Sequence, residues 1–267
     1  MSQIPSALSD LIRHLHAQGR LRVWSVIITI LGEIAQPQGG KISMASLLEI
    51  CAALDIEPQA VRTAMSRLSK DGLVVGKREG RMAHYQFSPQ GLAEYCKAAG
   101  VIYAAPKSLV DWVFAFAAEG ADVAELQTTF ASNPPLVLGG RCCVWPADSM
   151  PQVLAHCDAD FMVFDCQPLA LSNWAKASVL PALNTQTCQR ISACCQGLTD
   201  AEMTPDQARV ARVLLIHFWR RLVLRYPTVQ APIPEWPLAQ IQREIAGLYP
   251  HLLRMSGVDN VAGTRFH

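Results

Sequence analysis

The chain holds 267 residues, 51% of them apolar and only 17% charged, with a formal net charge of +1. Such a length allows one to three domains with a sizeable core, and the shortage of charge implies that domain or subunit contacts cover much of the surface. A near-neutral total excludes a general polyanion binder, no apolar run is long enough for a bilayer, and residues 1–21 lack the apolar stretch and cleavage site of a signal peptide, so a cytoplasmic protein without membrane contact is expected.

Residues 4–16 place Ile4, Leu8, Leu11, Ile12 and Leu15 at the spacing of a short amphipathic helix, an arm that would serve in a dimer. A helix from about Arg20 to Ile34 is apolar on nearly every side and therefore expected to be enclosed, and Pro37 with Gly39-Gly40 stops it. Ser43 suits the cap of the next helix, whose Leu47, Leu48, Cys51 and Leu54 face the same core. Residues 44–71 then read as two helices joined by a tight turn. In the second, Val61, Ala64, Met65 and Leu68 recur at the i, i+3, i+4, i+7 spacing of a buried face. Its other face bears Gln59, Arg62, Thr63, Ser66, Arg67 and Lys70 with no carboxylate among them. Such side chains donate to phosphates, and Arg and Gln make paired hydrogen bonds to purine edges. Pro58 suits the first helical position and Gly72 the left-handed residue past the end.

Leu73 to Arg78 and Met82 to Phe87 are β-prone runs flanking Glu79-Gly80, the pattern of a hairpin. Its tip carries Lys77, Arg78 and Arg81, with His84 and Tyr85 on the return strand. A helix-turn-helix followed by a basic hairpin is a winged helix, in which the helix reads bases and the wing holds the phosphate backbone. The plainer alternative is a solvated charged turn, but here the basic tip directly follows a basic helix. Residues 1–105 hold 11 Lys/Arg against 8 Asp/Glu, which places the positive charge in this region. Ser88-Pro89 has the form of a helix start, so residues 90–99 would leave the module as a linker helix and end the first domain near 105.

From Lys107 the pattern becomes an apolar run, LVDWVFAFAA, then a helical stretch over 122–130, strand-like runs at 135–138 and 141–146, a helix from about Ser149 to His156 and a strand from Phe161 to Asp165. The order β-α-β-β-α-β is the ferredoxin-like arrangement, expected over 106–170. Residues 171–267 read as a helical domain. Thr204-Pro205-Asp206-Gln207 has the form of a capping box and opens a long helix with Ala208, Ala211, Leu215, Phe218 and Leu222 on one face, and Arg209, Arg212, Arg220, Arg221 and Arg225 on its other sides, closed by Pro227. Pro232, Pro234 and Pro237 bracket Trp236, and a last helix over 238–255 carries Ile241, Ile245, Leu248 and Leu252. The expected class is thus α+β: winged helix-turn-helix, ferredoxin-like middle, helical end.

The segments LRVWSVIITILGE, PQGGKI and VRTAMSRLSKDGLV, together with the hairpin, resemble the N-terminal domain of the phenylacetic-acid catabolism repressors, the PaaX-like family. LLIHFWRRLVLRYP, PEWP and LYPHLL are similar to that family's C-terminal helical domain, and the middle portion resembles its Cas2-like domain. The chain departs from the family pattern at Tyr226, where an Asp precedes the proline, and at Leu238, where a Gly follows Trp-Pro. The resemblance implies a homodimeric transcriptional regulator, usually a repressor, that binds a palindromic double-stranded operator and is released by an aryl-acyl-coenzyme A such as phenylacetyl-CoA. No cofactor, metal or catalytic residue is implied.

An acyl-CoA effector needs cations beside an apolar or aromatic pocket, and His217, Trp219, Arg220, Arg221, Arg225 and Trp236 supply those types. The alternative is that the arginines pair at a domain or subunit contact and His217 is a packing residue. A Cas2-like nuclease would rest on Asp111 alone, whereas two-metal chemistry needs several converging carboxylates. A redox or metal sensor would rest on Cys142-Cys143, His156-Cys157, Cys166 and Cys194-Cys195; nine cysteines without a C-x-x-C spacing favour buried thiols. No Ser-His-Asp or Gly-rich phosphate motif occurs, so an enzyme of metabolism is not expected.

Overall fold

The computed structural model describes residues 4–17, 19–79, 82–104, 112–121, 123, 126, 129–130, 135–138, 140–146, 150–156, 160–166, 185–224 and 237–257. Arg81, Asp111, Cys157, Arg225 and Trp236, singled out above, lie outside them. The chain is mixed helix and sheet, with two small antiparallel sheets. It divides into two compact units, Met1–Ala105 with Gln189–Leu224 and Arg243–His267, and Pro106–Cys188 with Arg225–Gln242.

The first unit begins with α1 (Ser6–Ala17), which buries Leu8, Leu11 and Leu15, and α2 (Val23–Ile30). The enclosed helix expected to run to Ile34 instead changes pitch: Leu31–Ala35 is a π-helical turn, followed by a 3-10 turn over Gln36–Gln38. The wider turn turns Glu33 inward to full burial. Gly39 and Gly40 both adopt positive φ, and the Gly40 amide donates to Ala35 O, which terminates the helix. Strand β1 (Ile42–Ser43) leads into α3 (Met44–Ala52), where the Ser43 hydroxyl caps the Ser46 amide at 3.0 Å. Leu47, Cys51 and Leu54 are buried as expected, Leu48 is half-buried, and Ile50 takes the remaining core position.

Helix α4 (Pro58–Lys70) follows a turn in which Asp55 is left-handed, a conformation that Asp tolerates better than most residues. Val61, Ala64, Met65 and Leu68 are its buried face. Gly72 ends it with a φ of 73°, and the Leu73 and Gly72 amides donate to Leu68 O and Ser69 O, the paired bonds of a Schellman turn. Strands β2 (Val74–Glu79) and β3 (Met82–Phe87) form the hairpin, and β1 adds to the far side of β3. Helix α5 (Pro89–Ile102) is three residues longer at its end than the sequence implies. Ser88 joins these parts. Its hydroxyl donates to Gly72 O at 2.5 Å and accepts from the Gly91 amide at 2.9 Å. Gly91 lies so near that a Cβ would sit 2.1 Å from Leu73 O, so the close of α4, the base of the hairpin and the start of α5 form one tight junction.

Helices α7 (Thr185–Thr199), α8 (Pro205–Val223) and α9 (Pro237–Met255) supply the C-terminal helical elements. The capping box expected at Thr204 is present in full, with the Gln207 amide donating to Thr204 Oγ1 and the Thr204 amide to Gln207 Oε1. Helix α8 differs from its amphipathic expectation. From Val210 to Trp219 it is buried all round, Arg212 included, because α1, α2 and α5 surround it. The Arg212 guanidinium, 1% exposed, reaches Glu33 Oε2 at 3.4 Å and Glu33 O at 3.0 Å, and donates to Ser256 Oγ at 3.3 Å. Tyr249 Oη donates to the same carboxylate at 2.9 Å, and Tyr103 Oη donates to its other oxygen.

The second unit holds β4 (Trp112–Ala117), β5 (Leu136–Leu138), β6 (Cys142–Pro146), α6 (Met150–His156) and β7 (Phe161–Cys166). Its strands lie in the order β5-β6-β4-β7, every neighbouring pair antiparallel. Strand alternation puts Val113, Ala115, Ala117, Cys143 and Trp145 on one face, covered by Val123 and Leu126, which are helical, by Phe130 and by Val153 of α6.

Removing the Arg212 cation would leave a carboxylate enclosed without its counter-charge, a defect worth about 3–5 kcal/mol. Arg212→Met is expected to lower unfolding free energy by that order in urea titrations, far more than Arg209→Met, whose partner Asp206 is exposed.

Candidate functional site

Helix α4 offers one continuous polar face. Gln59, Arg62, Thr63, Ser66, Arg67 and Lys70 are all exposed on the side opposite its buried stripe. Pro58 and the Schellman turn fix the ends, so the six side chains ride on a rigid cylinder held by Val61, Met65 and Leu68. Thr63 turns its hydroxyl back to Gln59 O at 2.9 Å. Arg67 lies 3.5 Å from Asp71, just past the helix, in a pair exposed on both sides and weak in water. The Arg67 and Lys70 cations also sit in the last turn, where the helix dipole favours positive charge.

The hairpin continues the basic surface. Lys77 and Arg78 are exposed, and cross-strand register pairs Lys77 with His84 on one face and Arg78 with Ala83 on the other. Lys77 and half-buried His84 therefore share the hairpin face that also bears exposed Val75 and Met82. The Tyr85 ring lies over Gly76, where a Cβ would come within 2.9 Å of it, so a side chain at that position would displace the ring. A flat polar helix face beside a basic hairpin is suited to a groove and its flanking phosphates.

The residues considered for an effector separate. His217 and Trp219 are buried, Arg220 is half-buried and Arg221 exposed. Trp219 Nε1 donates to Ile102 O at 2.7 Å, which docks α8 on the end of α5. The Thr29 hydroxyl donates to Ser25 O, so it accepts from His217 Nδ1–H at 3.2 Å. Burial holds the His217 imidazole down at about 3, with the Arg220 and Arg221 charges adding to the effect, so it is neutral at pH 7. Arg220 Nη2 donates to Ser25 Oγ at 3.1 Å. Of these residues, Arg220 faces a cavity of about 190 Å³ between α2, α5 and α8, walled by Trp24, Phe87, Tyr95, Tyr103 and Ile216. The sequence reading did not single out Trp24, Tyr95 or Tyr103; Tyr95 lies on α5 and Tyr103 just past its end, so no helical periodicity joins them.

Cys51, Cys143, Cys188, Cys194 and Cys195 are buried as apolar residues, while Cys96 is exposed. Burial pushes the Cys51 and Cys195 thiols up to about 12 and those of Cys188 and Cys194 up to about 11, which suppresses the thiolate that redox and metal chemistry use. Cys142 and Cys143 point to opposite faces of β6. Among the described residues no group of three His, Cys, Asp or Glu is placed to hold a metal ion, and no helix is long and apolar enough to cross a membrane.

A His whose folded value lies below its ordinary 6.5 contributes stability that is complete above that pH and lost as pH falls toward 3, at about 1.4 kcal/mol per unit. Thermal unfolding followed between pH 7 and pH 4 is expected to show a falling midpoint, and His217→Gln should flatten that fall.

Residues 22–91 match the family described as PaaX-like protein. Over 247 residues the chain is 30% identical to the transcriptional repressor PaaX of Escherichia coli strain K12, covering 83% of this chain and 77% of that protein. A solved structure, uncharacterized protein Rv0674 from Mycobacterium tuberculosis, aligns over 87% of this chain and 96% of its own with 14% identity and a TM-score of 0.48. The matched 22–91 segment spans α2 to the first residues of α5, so it contains both the polar face of α4 and the basic hairpin. The chain belongs to the PaaX-like family, and its place is among transcriptional repressors rather than enzymes.

Proposed function

We propose that this protein is a ligand-responsive repressor of an aromatic-acid, phenylacetate-type catabolic operon that binds a palindromic operator as a homodimer and is released by an aryl-acyl-CoA. The observation that carries the DNA-binding reading is the unbroken exposed face of α4, six side chains without a carboxylate, beside Lys77 and Arg78 of the hairpin. In this reading α1 to α5 with the β1-β3-β2 sheet are a winged helix-turn-helix over residues 1–105. Residues 106–170 are a ferredoxin-like, Cas2-like domain, a reading supported by the β5-β6-β4-β7 strand order, in which the first and last strands are neighbours. Residues 171–267 are the C-terminal helical domain.

Helix α4 lies in the major groove with Gln59, Arg62, Thr63, Ser66 and Arg67 nearest the bases, while Lys70, Lys77, Arg78, Arg81 and His84 hold phosphates. A two-fold dimer presents two such helices to half-sites about one helical turn apart, roughly 34 Å, or a multiple. Release requires that the effector bind the DNA-competent conformer less well than the other, since equal affinity shifts nothing. Of the residues that such a site would draw on, Arg220 lines a cavity, whereas His217 and Trp219 pack α8 against Thr29 and Ile102. A redox switch is disfavoured by the raised thiols of Cys51, Cys188, Cys194 and Cys195.

Fluorescence anisotropy on the DNA upstream of the protein's own gene, against scrambled DNA at one salt concentration, tests this directly. Arg62→Ala is expected to weaken cognate binding by about 1–3 kcal/mol with little effect on scrambled DNA, as for loss of a paired contact to a guanine. Lys77→Ala should weaken all sequences alike and reduce the salt dependence by about one phosphate contact. Phenylacetyl-CoA should release the wild-type protein. Unchanged binding by both variants would displace α4 and the hairpin from the interface.

A further inference from the structure

We infer that the cavity between α2, α5 and α8 is the effector site of the proposed repressor, and that it takes an aromatic ring bearing a carbonyl or carboxylate oxygen, with the guanidinium of Arg220, a lining residue, donating to that oxygen. The inference rests on the regulator reading above and adds the site, its ligand chemistry and its route to the DNA-binding elements.

Size and lining define the ligand. A cavity of about 150 Å³ holds one benzene ring, so the 190 Å³ present here holds a phenyl ring with a short oxygenated substituent. A nucleotide exceeds that volume, so the coenzyme portion of a thioester would lie outside the cavity. The walls are aromatic and already held. The Phe87 and Tyr95 rings stack at 5.1 Å. Tyr95 covers Gly32, where a Cβ would lie 2.6 Å from the ring, and donates to Gly32 O. Tyr103 is fixed by its bond to the buried Glu33 carboxylate. A preformed apolar pocket with a few convergent polar groups is the usual form of a small-molecule site.

Arg220 supplies the polarity. Its Nη2 donates to Ser25 Oγ, but its Nε is buried and has no hydrogen-bond partner. No carboxylate is paired with it among the described residues; Glu94 at the rim accepts from Gln90 Nε2 instead. Enclosure lowers the guanidinium to about 10, so it stays charged at pH 7 while its surroundings favour an incoming negative oxygen.

The cavity also touches the machinery it would control. Leu73, Phe87 and Gly91 line it, and these are the residues at which the end of α4, the base of the hairpin and the start of α5 meet. That junction has no slack, since Gly91 already meets the Leu73 carbonyl. A ligand seated against Leu73, Phe87 and Gly91 therefore bears directly on the close of α4 and the base of the hairpin, and release requires that it bind the DNA-competent arrangement of that junction less well than another.

The test uses the full-length protein. Calorimetry measures binding of phenylacetate and, separately, of phenylacetyl-CoA, and anisotropy measures release from operator DNA. Two variants are compared with wild type: Arg220→Met, which removes the donor, and Ala98→Phe, which fills the cavity from the α5 wall. The expected result is binding of at least one probe, weakened at least tenfold by Arg220→Met and abolished by Ala98→Phe, with both variants folded by circular dichroism. Binding of the thioester alone assigns the Arg220 contact to an acyl carbonyl; binding of both assigns it to either oxygen. Undiminished binding in both variants overturns the site even if DNA is released, and binding of neither probe overturns the ligand class. Operator binding without ligand tests the regulator reading by itself, so its failure is separately visible.

Discussion

The buried Glu33 carboxylate is the constraint around which the first unit is arranged. It is fully enclosed, and it accepts from Tyr103 at the end of α5 and Tyr249 on α9 while pairing with Arg212 on α8. Enclosing one charge is costly, and the cost is offset only when every oxygen is met with good geometry. Four helices must therefore arrive in one relative placement, because displacing any of them strands a charge in an apolar interior. The π-helical turn at Leu31–Ala35 is the local deformation that points Glu33 into this position.

A second layer of fit builds on that frame. Trp219 ties α8 to the end of α5, and Arg220 and His217 tie it to Ser25 and Thr29 of α2. The C-terminal helix that carries these residues is thus part of the same packed body as α4 and the hairpin. A signal received beside α8 needs no long path to reach the polar face of α4, since Leu73 and Phe87 belong both to the cavity wall and to the hairpin base. Packed interiors respond to added volume by moving as blocks rather than by yielding locally.

The same economy of charge explains the cysteines. Thiols enclosed in apolar surroundings at Cys51, Cys194 and Cys195 keep their protons and act as small packing groups. The charged side chains that remain are concentrated where they face solvent, at Arg62, Arg67, Lys70, Lys77 and Arg78.

Features set by contacts within a few residues were legible in the sequence alone. Ser43, Ser88 and Thr204 cap their helices, Pro58 and Gly72 bound α4, and Val61, Ala64, Met65 and Leu68 form its buried stripe, because capping and periodicity act over one or two turns. The exposed polar face of α4 follows from that stripe, as its opposite side. The role of Glu33 was not legible, since its partners lie 70, 179 and 216 residues away and an acidic residue in an apolar helix looks the same whether it faces water or a guanidinium. Nor was the burial of Arg212, which periodicity assigns to a surface when α8 is considered without the helices around it, whereas a packing role for His217 was one of the two readings the sequence allowed. The cavity belongs to no segment at all: α2, the hairpin base, α5 and α8 each supply one wall, and only their convergence in the tertiary structure places Arg220 on the wall of an aromatic enclosure.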